Sequence, residues 1–344
     1  MNLSALLGTD YPILQAPMAG VQDSALAIAV SNAGGLGALP CGMLSKAQIG
    51  KEVGNIRSQT QRPFNLNFFA HRMPHCNEEK ILRWQHQFSA YFEEYGIDTD
   101  APLTGPLRRP FDEEMADLVS ECQPRVVSFH FGLPPPELIE PVRRAGAKII
   151  ATATTVHEAI WLESRGVDAI IAQGLEAGGH RGMFLTDDLR EQKTLADLLP
   201  QVASAVSLPV IAAGGIMSSK DVKAAFHLGA AGVQVGTAYL LCPEANTSGV
   251  HRKAIKDTKR DTAITNVFSG RAARGIANRL MMDIGPLNPD APPFPLASAA
   301  TSELRKKAEA IGIDHFTPLW AGSHFKDCKE ISAATLTEQL ASEI

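Results

Sequence analysis

Residues 167–182 read VDAIIAQGLEAGGHRG, and this stretch decides the fold. The first five residues form an apolar run that predicts a buried strand. Four glycines then fall between positions 174 and 182, and His180 directly follows the Gly178-Gly179 pair. Glycine lets the backbone approach a ligand, and a neutral imidazole is a base suited to neutral pH. We therefore predict a loop that covers one side of a flat cofactor and presents His180 to a small substrate.

Apolar runs of the same kind recur on both sides of this stretch, and a helical segment separates each from the next. Non-alternating runs are typical of strands that are buried on both faces, and repeated strand–helix units form a parallel sheet. We predict an α/β fold, a TIM (β/α)8 barrel. The alternative is an open doubly wound sheet, which is less favoured because no Gly-x-Gly-x-x-Gly opens the first strand–helix turn. The eight predicted strands cover residues 11–18, 36–39, 63–69, 126–132, 148–153, 167–172, 208–213 and 232–237.

Residues 70–110 interrupt this alternation. They are polar, contain His71, His75 and Cys76, and hold a helical section near residues 78–95. The segment is too long for an ordinary strand-to-helix loop, which predicts an insertion.

Residues 243–318 also lose the pattern, with a compact polar turn at 265–275, a proline-rich part at 286–295 and a short helix at 302–310. We predict that this segment joins residues 70–110 in a smaller, mainly helical substrate-binding or lid domain. The predicted barrel comprises residues 1–69, 111–242 and 319–344, and its last helix, at 336–344, returns to the barrel wall.

Composition favours a small-molecule partner. The 344 residues carry 32 Lys and Arg against 37 Asp and Glu, a net charge of −5, and no basic patch indicates nucleic acid. No run approaches about 18 apolar residues and the N-terminus lacks a signal-peptide pattern, so we predict no membrane segment and a cytoplasmic location. The five scattered cysteines form no Cys-x-x-Cys pair, which argues against disulfides and against a zinc site.

Functional groups of a barrel lie at the carboxyl ends of its strands, and two of these ends are rich in glycine. The seventh and eighth strands end in Gly214-Gly215 and Gly236-Thr237. Backbone N–H groups, a helix N-terminus and the Thr237 hydroxyl are donors that bind phosphate. We therefore predict a phosphate site there, with two simple tight turns as the alternative.

Neutral amides lie at three other strand ends. Asn67, Gln173 and Gln234 each carry a group that both donates and accepts hydrogen bonds. This property suits the edge of a flavin ring, where N–H and C=O groups alternate. Ordinary polar caps are the alternative, but the shared position on the rim favours the cofactor.

Two histidines follow the fourth and sixth strands, so both reach the same mouth of the barrel. We predict that His180 is catalytic, because its glycine neighbours give it no packing role, and that His130 is either catalytic or structural. We predict no metal site, because Glu176 is the only nearby carboxylate.

These motifs resemble those of nitronate monooxygenases, formerly called 2-nitropropane dioxygenases, and in particular those of the bacterial class I group. The resemblance extends over most of the chain, and its most specific part is the stretch from 172 to 182. The similar segments cover residues 15–20, 63–67, 128–132, 172–182, 213–216, 234–237 and 265–275.

The resemblance implies an FMN-dependent barrel that oxidises alkyl nitronates with O2 to a carbonyl compound and nitrite. It implies propionate 3-nitronate as the substrate and detoxification as the role. It also implies that His180 is the catalytic histidine and that His130 lines the same pocket; whether His180 removes a proton or stabilises an anion stays open. The predicted cofactor-binding residues are Ala16, Pro17, Met18, Asn67, Gln173, Gly178, Gly214, Gly215, Gln234, Gly236 and Thr237.

Two other functions fit the same sequence. One is an FMN-dependent NAD(P)H:quinone reductase or enoyl-thioester reductase of the same superfamily, which predicts fast anaerobic flavin reduction by NAD(P)H. The other is a flavin-binding or metabolite-sensing module, which predicts bound FMN without turnover. In each case we expect a monomer or a homodimer.

Overall fold

The computed structural model describes residues 2–75, 77–98 and 108–344. Cys76 and part of the predicted 70–110 insertion, residues 99–107, lie outside the described residues. Fourteen α-helices and eleven strands cover these residues. The helices are α1 (Leu3–Leu7), α2 (Ser24–Asn32), α3 (Lys46–Gln59), α4 (Glu78–His86), α5 (Ser89–Glu94), α6 (Glu113–Cys122), α7 (Pro136–Arg144), α8 (Val156–Ser164), α9 (Leu195–Ala205), α10 (Ser219–His227), α11 (Gly249–Lys256), α12 (Arg279–Asp283), α13 (Ser298–Ala310) and α14 (Ala333–Ala341).

The strands form two sheets. They are β1 (Ile13–Gln15), β2 (Gly37–Pro40), β3 (Phe64–Phe69), β4 (Val126–His130), β5 (Lys148–Ala153), β6 (Ala169–Gln173), β7 (Gly179–His180), β8 (Val210–Ala213), β9 (Gly232–Val235), β10 (Thr262–Thr265) and β11 (Ala273–Ile276). Eight of them pair in parallel in the order β1-β9-β8-β6-β5-β4-β3-β2. A bridge between Leu14 and Leu36 joins the two ends of this sheet, which closes the barrel. The predicted TIM-barrel fold is confirmed.

The barrel interior is filled by apolar side chains that point inward from the strands. Leu14, Ile150 and Ile171 belong to this inner cluster, and each is at most 2% exposed. The short helix α1, which we did not predict, adds three leucines at the amino-terminal ends of the strands. Because the bottom of the barrel is packed in this way, the open space lies at the opposite end.

The outer helices are defined by caps that the sequence carries. Ser45 and Ser218 each begin a helix with a capping box, in which Gln48 and Asp221 bond back to the cap. The terminal helix α14 packs against α2 and α10, which is the wall position that we predicted.

A second apolar cluster lies outside the barrel and joins the two segments that interrupt the alternation. Trp84 and Phe88 pack with Phe268, Leu280 and Phe316, and all five are buried. The exact division into barrel and lid domain stays a prediction.

The predicted polar turn at 265–275 is in part wrong. Its flanks are β10 and β11, which pair antiparallel, and β11 pairs in turn with β7. Strands of four residues carry little local signal and are defined here by pairing with a distant segment. This small sheet brings His180 opposite Ala273.

No helix in the described part of the chain has the length and hydrophobicity needed to cross a membrane.

Candidate active site

A cavity lined by described residues opens at the carboxyl ends of the barrel strands. It holds about 1400 Å³ that no protein atom fills, counting its open mouth. All of the residues predicted from the sequence line it, namely Ala16, Pro17, Met18, Asn67, His130, Gln173, Gly178, His180, Gly214, Gly215, Gln234, Gly236 and Thr237. The structure therefore brings both histidines and every predicted cofactor contact to one place.

Buried Arg181 fixes the loop between Gln173 and His180. Its guanidinium donates to the carbonyl oxygens of Gln173 and Gly174, at 3.0 and 2.8 Å, and to Gln192 Oε1 at 3.0 Å. Burial, together with the charge of nearby Arg274, lowers the pKa of Arg181 to about 10. Three bonds to fixed acceptors hold the start of the loop against the barrel rim, and no local sequence pattern predicts a buried charge there.

The Gln173 side chain braces the other end of the same loop. Its Nε2 donates to the His180 carbonyl at 3.0 Å, and its Oε1 accepts from the Gly182 N–H at 2.8 Å. One amide N–H of Gln173 stays unused by these two bonds. The side chain thus positions His180 and still has a donor at the cavity surface.

The glycine turns, residues 214–216 and 236–237, form one end of the cavity. Gly215 has φ = +71°, and its N–H and that of Ile216 donate to no described residue. A Cβ on Gly236 would lie 3.2 Å from the Ala16 side chain, so glycine permits the close approach of β1 and β9. Free N–H groups on such a turn attract an anion.

Two residues from the end of the chain complete the glycine turns. The Gly322 N–H donates to Thr237 Oγ1 at 2.9 Å, and the His324 Nδ1–H donates to the Gly215 carbonyl at 2.8 Å. Sequence reasoning missed both, although a glycine close to a polar side chain follows the apolar run ending at Ala321.

The amide side chains at the rim differ in how far the protein already satisfies them. Asn67 Nδ2 donates to Ser128 Oγ at 2.9 Å. Gln234 Oε1 is buried and has no partner among the described residues. A buried acceptor without a donor is costly, so this oxygen fits the N–H of a ligand.

His180 is a neutral imidazole in this setting. Burial holds its pKa well below the usual value, and the charge of Arg108 lowers it further. Its Nε2 lies 2.8 Å from Ser269 Oγ, whose single proton can be donated to the Arg271 carbonyl at 3.3 Å. In that arrangement Nε2 carries the proton, and Nδ1 keeps a lone pair without a partner among the described residues.

His130 makes two contacts within the protein. Its Nδ1 lies 3.1 Å from Thr152 Oγ1, and its Nε2 lies 3.2 Å from the His180 carbonyl. Burial lowers its pKa to about 4. Since both ring nitrogens are used, the geometry favours a brace for the His180 backbone.

The aromatic wall, formed by Phe69, Phe131 and Phe294 with His71, stands beside His180. The rings of Phe131 and Phe294 are 5.3 Å apart, and that of His180 is 5.3 Å from Phe294. Phe131 has φ = +72°, a strained conformation for a residue with a side chain. This wall excludes water from one side of the imidazole.

The model of one protein family, described as nitronate monooxygenase, matches residues 1–343. The chain belongs to the nitronate monooxygenase family. It is therefore an oxidoreductase, and the family is flavin-dependent in general.

Individual relatives agree with this family assignment. A nitronate monooxygenase of Pseudomonas aeruginosa is 39% identical over 347 residues, which cover 100% of this chain and 99% of the relative. The solved nitroalkane oxidase of Streptomyces ansochromogenes superposes with a TM-score of 0.90 at 38% identity, covering 100% of this chain and 97% of that one. FabK of Thermotoga maritima gives a TM-score of 0.70 at 26% identity, over 99% and 94% of the two chains.

For this nitronate monooxygenase family member, the structure offers no cluster of three or more His, Cys, Asp or Glu side chains that would hold a metal ion, within the described ranges. Six residues that contact the predicted site residues, or line the cavity beside them, were not predicted from the sequence. They are Arg108, Arg181, Ser269, Phe294, Gly322 and His324.

Proposed function

We propose that the chain oxidises alkyl nitronates, with propionate 3-nitronate as the main substrate, using FMN and O2 and releasing a carbonyl compound and nitrite. The role is removal of a toxic anion. The observation that carries the proposal is a neutral, buried His180 in the same cavity as an unpaired amide oxygen and the glycine turns. Family membership supports it.

The cavity fits FMN in two respects. The unpaired N–H groups of Gly215 and Ile216 suit a phosphate, and the unpaired Gln234 Oε1 suits a ring N–H. When bound, FMN supplies an acceptor for the electrons of the substrate. The protein positions the cofactor and the substrate, and its aromatic wall excludes water from one side of His180.

His180 then acts on the substrate as a neutral group. A nitronate is already deprotonated, so no proton has to leave it, and the imidazole packs beside it without adding positive charge. A neutral nitroalkane would need a base, and the Nδ1 lone pair would be the group that accepts its α-proton. A strongly lowered pKa makes His180 a weak base, which favours the nitronate as substrate.

The remaining residues position these groups. His130 and Gln173 both bond to the His180 carbonyl, so we assign them positioning roles. We also propose that residues 70–110 and 243–318 form the lid over the site, supported by the packing of Trp84 against the second apolar cluster. A cytoplasmic location and a monomeric or homodimeric state stay predictions.

The test is an oxygen-electrode assay of the FMN-loaded protein with propionate 3-nitronate, combined with a nitrite assay. We expect O2 uptake and nitrite release, and little oxidation of NADH or NADPH in a parallel anaerobic mixture. Rapid anaerobic flavin reduction by NAD(P)H without nitronate turnover would favour the reductase instead. A protein that cannot be loaded with FMN would overturn both.

A further inference from the structure

The described side chains that line the cavity include a positive charge and no negative charge. Among the described residues that line it, Arg108 is the only Lys or Arg, and no Asp or Glu is present. Arg108 Nη1 is buried and has no hydrogen-bond partner among the described residues. A buried cation without a counter-charge is costly, so a guanidinium that has none among the described residues is suited to binding an anion in the cavity.

The other nearby arginines are already engaged. Arg305 Nε bonds to Glu309 at 2.7 Å. Arg271 donates to the Met183 carbonyl and stacks on Phe131, with 4.2 Å from its Cζ to the ring centroid, and it does not line the cavity. Arg108 is therefore the cation that faces a ligand.

The position of Arg108 separates it from the glycine turns. Phe111, three residues further on, donates its N–H to the Phe69 carbonyl at 2.8 Å, so this segment lies at the end of β3. In the barrel order, β3 lies across from β8, which carries Gly214 and Gly215. The phosphate site that we propose therefore lies on the opposite side of the barrel mouth from Arg108.

Phe294 links Arg108 to the reacting end of the cavity. The Arg108 Cζ lies 5.8 Å from the centroid of the Phe294 ring, and the His180 ring lies 5.3 Å from it. One aromatic ring thus contacts both the guanidinium and the imidazole. Arg108 and His180 both line the cavity, so a short ligand that spans this region has one end at His180 and the other at Arg108.

We propose that Arg108 determines substrate class by binding a carboxylate at the end of the substrate remote from the nitronate. The site would then prefer a short-chain dianion over a simple alkyl nitronate. The planar guanidinium matches a carboxylate in a two-bond fork. This inference rests on the proposed function, since the second charge at His180 is that of the nitronate.

The kinetic test compares two substrates of equal length on FMN-loaded protein, propionate 3-nitronate and propyl-1-nitronate, which has a methyl in place of the carboxylate. Arg108→Gln should lower kcat/KM for propionate 3-nitronate by about 10- to 100-fold, mainly through KM, as expected for loss of a charge-assisted hydrogen bond. For propyl-1-nitronate the change should stay within about threefold. Arg108→Lys should recover part of the loss, and Arg109→Gln, at the exposed neighbour, should behave as wild type.

Equal losses for both nitronates would overturn the proposal, because Arg108 would then bind the nitronate group itself. A wild-type enzyme that prefers propyl-1-nitronate would also overturn it.

A second experiment, which measures binding rather than turnover, tests this inference separately from the proposed function. Succinate has the shape and charge of propionate 3-nitronate but cannot be oxidised in this way, and butyrate lacks one of its carboxylates. By calorimetry, the FMN-loaded wild type should bind succinate at least about tenfold more tightly than butyrate, and Arg108→Gln should abolish the difference. If no nitronate is turned over, the proposed function fails while this experiment still decides the dianion site. Equal affinity for succinate and butyrate in the wild type would reject the site.

Discussion

The two ends of the cavity are built by different means. The glycine turns use backbone N–H groups at the ends of the adjacent strands β8 and β9, and the N–H groups of Gly215 and Ile216 donate to no described residue. The aromatic wall uses side chains that come from separate segments, including Phe69 at the end of β3 and Phe294 before α13. The glycine turns are suited to binding the phosphate of the proposed cofactor. The aromatic wall is suited to selecting the substrate and positioning it for reaction.

Among the substitutions that test this difference between the glycine turns and the aromatic wall, we expect the largest effect at His180. His180→Asn should lower turnover of propionate 3-nitronate by about 100-fold or more, while FMN stays bound, because the imidazole belongs to the substrate end. Turnover is measured with the oxygen electrode and FMN content by absorbance. His227→Asn, at an exposed histidine on α10, is the matched control and should leave both unchanged.

Turnover within a few-fold of wild type would show that His180 is structural. Loss of FMN together with turnover would mean that the two ends are not separate.

The reverse result is expected at Gly215. Gly215→Ala forces a side chain into φ = +71° and places a Cβ 3.1 Å from His324 Nδ1. The turn must shift, and the Kd for FMN should rise by about tenfold, given a cost of about 1–2 kcal/mol for a left-handed residue. At saturating FMN, kcat should stay close to that of wild type.

Gly312→Ala is the control, because Gly312 has φ = +75° and open space around it. It carries the same backbone strain away from the cavity and should leave the Kd unchanged. An equal rise in both variants would trace the effect to general destabilisation.

The same contrast explains what the sequence could predict. The barrel strands and glycine turns have local signals, since an apolar run and the glycines that end it are neighbours in the chain. The bond between His180 and Ser269 joins residues 89 positions apart, and neither local pattern indicates the other. Arg181 is a further case, because a charged residue in a glycine loop is ordinarily exposed, and its burial depends on carbonyl groups that only the folded loop directs at it.

Acid should lower the free energy of unfolding through His71, which belongs to the aromatic wall. Burial, together with the charge of Arg271, lowers the pKa of His71 to about 4 from its ordinary value of 6.5. As pH falls below about 6.5 the unfolded chain takes up a proton that the folded protein does not, so stability is lost until the pH reaches about 4. One such histidine contributes about 1.4 kcal/mol per pH unit.

Urea unfolding of FMN-loaded protein at pH 7.5 and 5.5 measures this loss. His71→Gln should reduce the difference between the two pH values by about 1.4 kcal/mol. His157→Gln, at an exposed histidine on α8, should not. An unchanged difference in His71→Gln would show that His71 is protonated in the folded state.

The smallest effect is expected at Thr237, where the glycine turns rely on a side chain. Thr237 Oγ1 accepts the Gly322 N–H at 2.9 Å, and its own hydroxyl proton is free for an anion. Thr237→Val should raise the Kd for FMN by about two- to tenfold, the usual net value of one hydrogen bond, whereas Thr237→Ser should bind as wild type. Fluorescence titration with FMN measures both. A loss in Thr237→Val much larger than that for Gly215→Ala would reverse the assignment, because the glycine turns would then hold their anion through the side chain rather than through the backbone.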